Sequence, residues 1–201
     1  MIGRHRPWPS LARLVLSSLA LSACGGGPPP DLYVLGDTAT VAPEPKAALP
    51  DPVVELKPVR VPDYLDTTDM ITRTSSGRIV TSQSARWAER LSVGVTRAVA
   101  TSLEAKLPQL TVTTSPPLDD PQWQILIDIQ AFEAQSGGQC ILTGRWSIRR
   151  GRGGEKLKEE KIALTTALGA AREKDLVAAM DRQVDQLAGR IAVVLQTEED
   201  R

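Results

Sequence analysis

Histidine is nearly missing from this chain. Its one copy, His5, lies within the opening "MIGRHRPWPS". Nothing beyond it can serve Ser-His-Asp or Cys-His catalysis or offer an imidazole to zinc. Cysteine is scarce as well, with Cys24 and Cys140 only. Aromatic residues make up 3% of the chain, and a hydrophobic core uses such side chains before a ligand box can. No apolar run reaches the ~20 residues that span a bilayer as a helix. Charge of one sign is lacking too: 24 basic residues face 24 acidic ones. That balance excludes a nucleic-acid binder acting by bulk electrostatics.

What is present begins with a leader. Arg4 and Arg6 precede the short apolar run "LARLVLSSLALSA", which leads to Cys24. A basic start, a short apolar stretch and small residues before a cut describe a secretory signal peptide over residues 1–23. Leu21-Ser22-Ala23-Cys24 resembles the bacterial lipobox. The resemblance implies that Cys24 becomes the lipid-bearing first residue, carrying a diacylglyceryl group and a further acyl chain such as palmitate. Two or more chains anchor a protein stably, where one does so marginally. Gly25, in place of the aspartate common for inner-membrane retention, implies the outer membrane. Loss of Arg4, Arg6 and Arg13 with the leader takes the 24 basic residues to 21 against 24 acidic ones, a net charge of −3. Membrane attachment therefore rests on the acyl anchor.

Residues 24–51, rich in Gly and Pro, read as a tether, within which Asp31-Leu32-Tyr33-Val34-Leu35 is apolar enough to add an edge strand. A single α+β domain is expected over 52–197. Val53–Val61 is β-branched, with Pro58 marking an edge or a bulge. Met70–Arg73 and Arg78–Thr81 flank a Ser-Gly turn and form a hairpin. From Ala85 to Leu107 the apolar residues, Trp87 among them, step by three and four as on one helix face, with Ser82 or Ser84 as cap and Pro108 as stop. Leu110–Thr113 is a short strand. Trp123–Gln130 and Cys140–Arg149 are long alternating segments joined at Ser136-Gly137-Gly138. A third strand runs from Lys156 to Thr165, and a last helix from Glu173 to Leu195. The fold class is therefore α+β: a mainly antiparallel sheet with two amphipathic helices packed on one face. The opposite sheet face would show Gln124, Asp128, Gln130, Thr143, Arg145 and Ser147 to water.

No pattern points to catalysis, a metal or a cofactor. The glycines at 151, 153 and 154 open no helix and lack the phosphate-loop lysine. Asp63, Asp66, Asp69, Asp119 and Asp120 are turn and surface residues in type. Trp87, Trp123 and Trp146 fall on apolar phases and form a shared core. Cys140 reads as a small buried hydrophobe.

Val61-Pro62-Asp63-Tyr64-Leu65-Asp66, then Met70-Ile71-Thr72-Arg73-Thr74, then Arg86-Trp87-Ala88-Glu89-Arg90-Leu91 resemble the PqiC-like family of ABC-type transport auxiliary lipoproteins. That family has a P-x-Y-L-D segment, a strand ending in T-R and a W-A-E-x-L segment, and Tyr33-Val34-Leu35 is similar to its opening strand. The chain departs from the pattern at Thr67-Thr68-Asp69, where the family often has R-P-Q, and at Arg90, where it often has proline. The resemblance implies an outer-membrane-anchored, periplasm-facing adaptor with no enzymatic turnover. Its partner would be an MCE-domain periplasmic protein that carries lipid and, through it, an ABC permease and ATPase, in a system that supports membrane integrity. Tyr64, Leu65 and Asp66 are the candidate partner contact, and a second copy of the chain is left open as a partner. The alternative is an envelope-assembly co-factor unrelated to transport.

Overall fold

A computed structural model describes residues 28–36, 52–170 and 172–200. Cys24, the leader and the tether residues 37–51 lie outside the described residues. The elements run β1 (Asp31–Tyr33), β2 (Val53–Leu56), β3 (Asp69–Arg73), β4 (Ile79–Trp87), α1 (Leu91–Lys106), β5 (Thr111–Thr113), β6 (Trp123–Gln135), β7 (Gln139–Arg150), β8 (Lys156–Ala167) and α2 (Arg172–Glu199).

The sheet is organised around β6. On one side β6, β7 and β8 form an antiparallel meander, paired from Trp123↔Arg150 to Gln135↔Gln139 and from Gln139↔Ala167 onward. On the other side two short groups attach to the same strand. β2 runs parallel to the first half of β6, with β5 parallel beyond it. β3 runs parallel to the last residues of β6 and carries β4 antiparallel and then β1 parallel to β4. The sheet is therefore mixed, which corrects the expectation of a mainly antiparallel one. Hairpins follow from local turns, but parallel neighbours need long connections, and these connections are what brings β1, β2 and β3 into place.

Two further expectations change. Pro58 breaks a ladder, but β2 is no edge strand. It ends at Leu56 between β5 and β6, and pairing resumes where Arg60 N donates to Ile127 O at 3.1 Å and Ile129 N to Arg60 O at 2.8 Å. The first helix starts at Leu91, and Trp87 ends a strand. Trp87 N donates to Thr68 O at 2.7 Å and Ala88 N to Tyr33 O at 2.8 Å. Backbone partners distant in sequence thus claim the residues whose spacing resembles a helix face. Ser82 and Ser84 do not cap α1; their hydroxyls donate to Glu173 Oε1 on α2, at 2.9 and 3.1 Å.

Both helices lie against the core side of the sheet. Trp123, Ile125, Ile127, Phe132, Leu142, Trp146 and Ile148 from β6 and β7 are buried together with Val95, Val99 and Leu103 of α1 and Met180, Leu187 and Ile191 of α2. Each such side chain contributes roughly 1.5–3 kcal/mol on burial. A bulge falls between Ile129 and Ala131, opposite Gly144. A Cβ on Gly144 would sit 2.2 Å from Asp128 O and 2.9 Å from Ile129 Cα, so only glycine admits the close approach there.

Asp31–Gly36 belong to this domain, which shortens the expected tether. Leu35 is buried, and Arg97 Nη2 donates to its carbonyl at 2.9 Å. Gly36 N donates to Asp181 Oδ1 at 2.7 Å. Gly36 has φ +84°, and a Cβ there would meet that of Ala98 at 2.8 Å.

Candidate functional site

The loop between β2 and β3 is built from short local turns. Leu65 N donates to Pro62 O at 2.8 Å, and Thr67 N to Leu65 O at 2.8 Å. The turns send neighbouring side chains to different tasks. Leu65 is buried in the core. Asp66 turns to α1, where Oδ1 accepts from Ser92 N at 3.2 Å and Oδ2 from Arg90 Nη1 at 3.3 Å. The loop also takes the Leu91 N–H on Thr67 O at 3.3 Å. The first turn of α1 has no acidic residue, and Arg90 supplies no capping side chain. Asp66 therefore provides from outside the helix the oxygen and the negative charge that a helix N-terminus calls for.

Tyr64 points the other way and is about one-third exposed, at 36%. The Arg73 guanidinium lies over its ring, 4.9 Å from the centroid. Arg73 is also paired with Glu133, its Nε on one carboxylate oxygen and Nη2 on the other at 3.4 Å. The Glu133 side chain is fully buried and also accepts from Gln135 Nε2 at 3.3 Å. Its hydrogen bond pushes the Arg73 pKa up, so the cation is permanent. Burial pushes the Tyr64 phenol up, and the nearby Glu133 carboxylate adds to this, so the phenol stays neutral.

A second buried acid lies near the start of β6. Glu55 is 1% exposed; it accepts from Gln124 Nε2 and from Lys57 Nζ, each at 2.8 Å. Burial works against its charge, but these two hydrogen bonds outweigh it and hold the carboxyl below its ordinary value. Gln124 is thereby buried, which corrects its expected place on the wet sheet face. Gln130 and Arg145 are exposed on that face, and Asp128, Thr143 and Ser147 are half-buried. An open concavity of about 630 Å³ lies there, lined by Gln130, Arg145, Glu159 and Lys161 among others.

The structure thus keeps Tyr64, Leu65 and Asp66 in one loop with Tyr64 the most exposed, Leu65 buried and Asp66 half-buried against α1. Asp69 pairs with Arg86, and among the described residues no group of three acids, histidines or cysteines is placed to hold a metal. Cys140 is buried against Gln183, and burial pushes its thiol up to about 12. Sequence reasoning passed over Glu133 and Glu55. The available signal was an acid between apolar neighbours on a central strand, as in Ala131-Phe132-Glu133-Ala134, because a buried carboxylate requires a cation or hydrogen-bond donors beside it.

The sequence profile of the ABC-type transport auxiliary lipoprotein component matches residues 33–192. The chain belongs to that family. The matched span reaches from β1 into α2 and takes in the loop, Arg73 and Glu133, and the family assignment makes this a lipoprotein component accompanying an ABC-type transport system. Among solved structures, a crystal structure of an uncharacterized protein is similar at 19% identity, with TM-score 0.68, over 82% of this chain and 97% of that one. The crystal structure of a protein from Xanthomonas campestris is similar at 13% identity, with TM-score 0.59, over 86% and 98%. At these identities the likeness is one of fold. No protein of curated function matches the chain.

Proposed function

We propose that this auxiliary lipoprotein is anchored in the outer membrane through Cys24 and docks the periplasmic, lipid-carrying MCE-domain component of an ABC transport system. It would support movement of lipid or other hydrophobic cargo between membranes. The observation that carries the reading is the family match across almost the whole folded domain. The loop adds to it. Tyr64 is held outward on a rigid base of Arg73 and Glu133, and a fixed aromatic beside an arginine is the kind of anchor that dominates protein interfaces. Binding without turnover fits the chemistry available: the Cys140 thiol is buried and neutral, and Asp66 and Asp69 are engaged in structural contacts.

Crosslinking in living cells, followed by purification of the full-length tagged lipoprotein and mass spectrometry, tests this. An MCE-domain protein among the leading hits is expected, and Tyr64→Ala should weaken its capture. Recovery of an envelope-polymer synthase or an outer-membrane insertion protein in its place would move the assignment to envelope assembly.

A further inference from the structure

The position of β1 fixes how far the folded domain can stand from a membrane. β1 runs parallel to β4, with Asp31 level with Ala85. The chain leading back from Asp31 therefore heads toward the start of β4 and the β3–β4 turn. Seven residue steps separate Asp31 from Cys24, and extended chain covers at most about 25 Å over that distance. The same seven steps down β4, from Ala85, end at Arg78 beside the turn. An anchor at Cys24 can thus reach the level of that turn and hardly beyond it.

The surface on this side has a matching character. Leu32 (67%) stays exposed on β1 level with Arg86, and Ile79 (36%) and Val80 (40%) are large apolar side chains that stay exposed at the start of β4 beside the turn. Arg78 is exposed next to them. The other end of the sheet lies a full strand length away, because β6 spans thirteen residues from Trp123 to Gln135, about 40 Å along the strand. There the 114–120 loop holds Leu118 fully exposed between Pro117 and Asp119.

We infer that the end of the sheet formed by the start of β4 and the β3–β4 turn rests on the lipid bilayer, with Ile79 and Val80 against its headgroup region, and that the 114–120 loop points away from it. The inference rests on lipid attachment at Cys24. The leash is too short to hold the domain clear of the surface, so the domain has a membrane side and a far side. Apolar side chains at that end lose water when they meet the acyl boundary, and Arg78 is placed to meet anionic headgroups.

Full-length acylated protein carrying Val80→Cys or Leu118→Cys, labelled with a fluorophore, can be reconstituted into phosphatidylethanolamine–phosphatidylglycerol vesicles that contain a headgroup nitroxide lipid. Cys140 is buried with a raised thiol pKa and stays unlabelled. Quenching at position 80 is expected to exceed that at position 118 at least threefold. Equal quenching, or stronger quenching at 118, overturns the orientation. Flotation and the mass of the N-terminal peptide report the anchor separately. Protein that floats and is acylated at Cys24, yet shows no excess quenching at 80, sinks this inference alone and leaves that end to a protein partner. Protein without acylation at Cys24 sinks the anchoring and the orientation together.

Discussion

The two sides of β6 are built differently. β7 pairs with it, and β8 with β7, over nearly their whole length, through turns of a few residues. Apart from β4, with nine residues, the strands on the other side are short: three residues in β1 and β5, four in β2 and five in β3. Only the β3–β4 hairpin is local there; every parallel pairing reaches across a long stretch of sequence. The antiparallel side is held by its backbone ladder and by the core beneath it. The other side gains what its short ladders lack from side chains: Arg73 on Glu133, Asp66 on the start of α1, Arg97 on the Leu35 carbonyl, Gln124 and Lys57 on Glu55. Where ladders are short, buried polar pairs take over the task of fixing register, and the candidate contact loop sits on that side.

That contrast can be broken most severely at Gly144. Gly144→Val drives a branched side chain into the backbone of Asp128 and Ile129, and a loss of about 4 kcal/mol is expected. Urea unfolding of the purified domain measures it, with Gly137→Val, at a turn where a Cβ meets nothing within 4 Å, as the mild control. Next is Arg73→Ala. It leaves the Glu133 carboxylate buried without its cation and should cost about 3 kcal/mol, whereas Arg73→Met combined with Glu133→Leu should recover most of that loss. A double-mutant cycle that shows no coupling would mean that the short-stranded side does not depend on the pair.

Asp66→Ala should cost about 1 kcal/mol through the N-terminus of α1. The same substitution separates the two roles of the loop. If it weakens partner capture no more than its stability loss explains, Tyr64 carries the contact. The smallest effect concerns pH. The Glu55 carboxyl lies below its ordinary 4.5 in the folded chain, so the stability it contributes is complete above that value and falls away as pH drops through the folded pKa. Glu55→Gln should be less stable near neutrality and lose less on acidification, as denaturant midpoints between pH 6 and pH 3 will report.

The contrast also explains what could be read in advance. The alternation of Trp123, Ile125, Ile127 and Ile129 against Cys140, Leu142, Trp146 and Ile148 needs only the two-residue period of a strand and a Ser-Gly-Gly turn. The hairpin at Ser75 to Gly77 and the stripe of Leu176, Met180, Val184, Leu187 and Ile191 were legible for the same reason. Trp87 was not. Four residues before Leu91 it falls on the helix stripe, and only the carbonyl of Thr68 and the strand at Tyr33 make it extended. At the candidate site the motif Tyr64-Leu65-Asp66 stood out in the sequence, but the division of labour within it did not. Nothing local says that Leu65 enters the core or that Asp66 caps a helix some twenty-five residues on.

The sequence by itself determined the elements whose evidence lies within a turn or two: two amphipathic helices, three hairpin-linked strands, an apolar phase with its buried tryptophans, and a family pattern. The tertiary structure alone decided that β1, β2 and β3 join the sheet in parallel, that the buried Glu55 and Glu133 find partners, and that the N-terminal end of β1 faces the β3–β4 turn. The physical reason is that side-chain periodicity is a local property of the chain. Parallel pairing and the neutralising of a buried charge depend on groups that only the folded domain brings together.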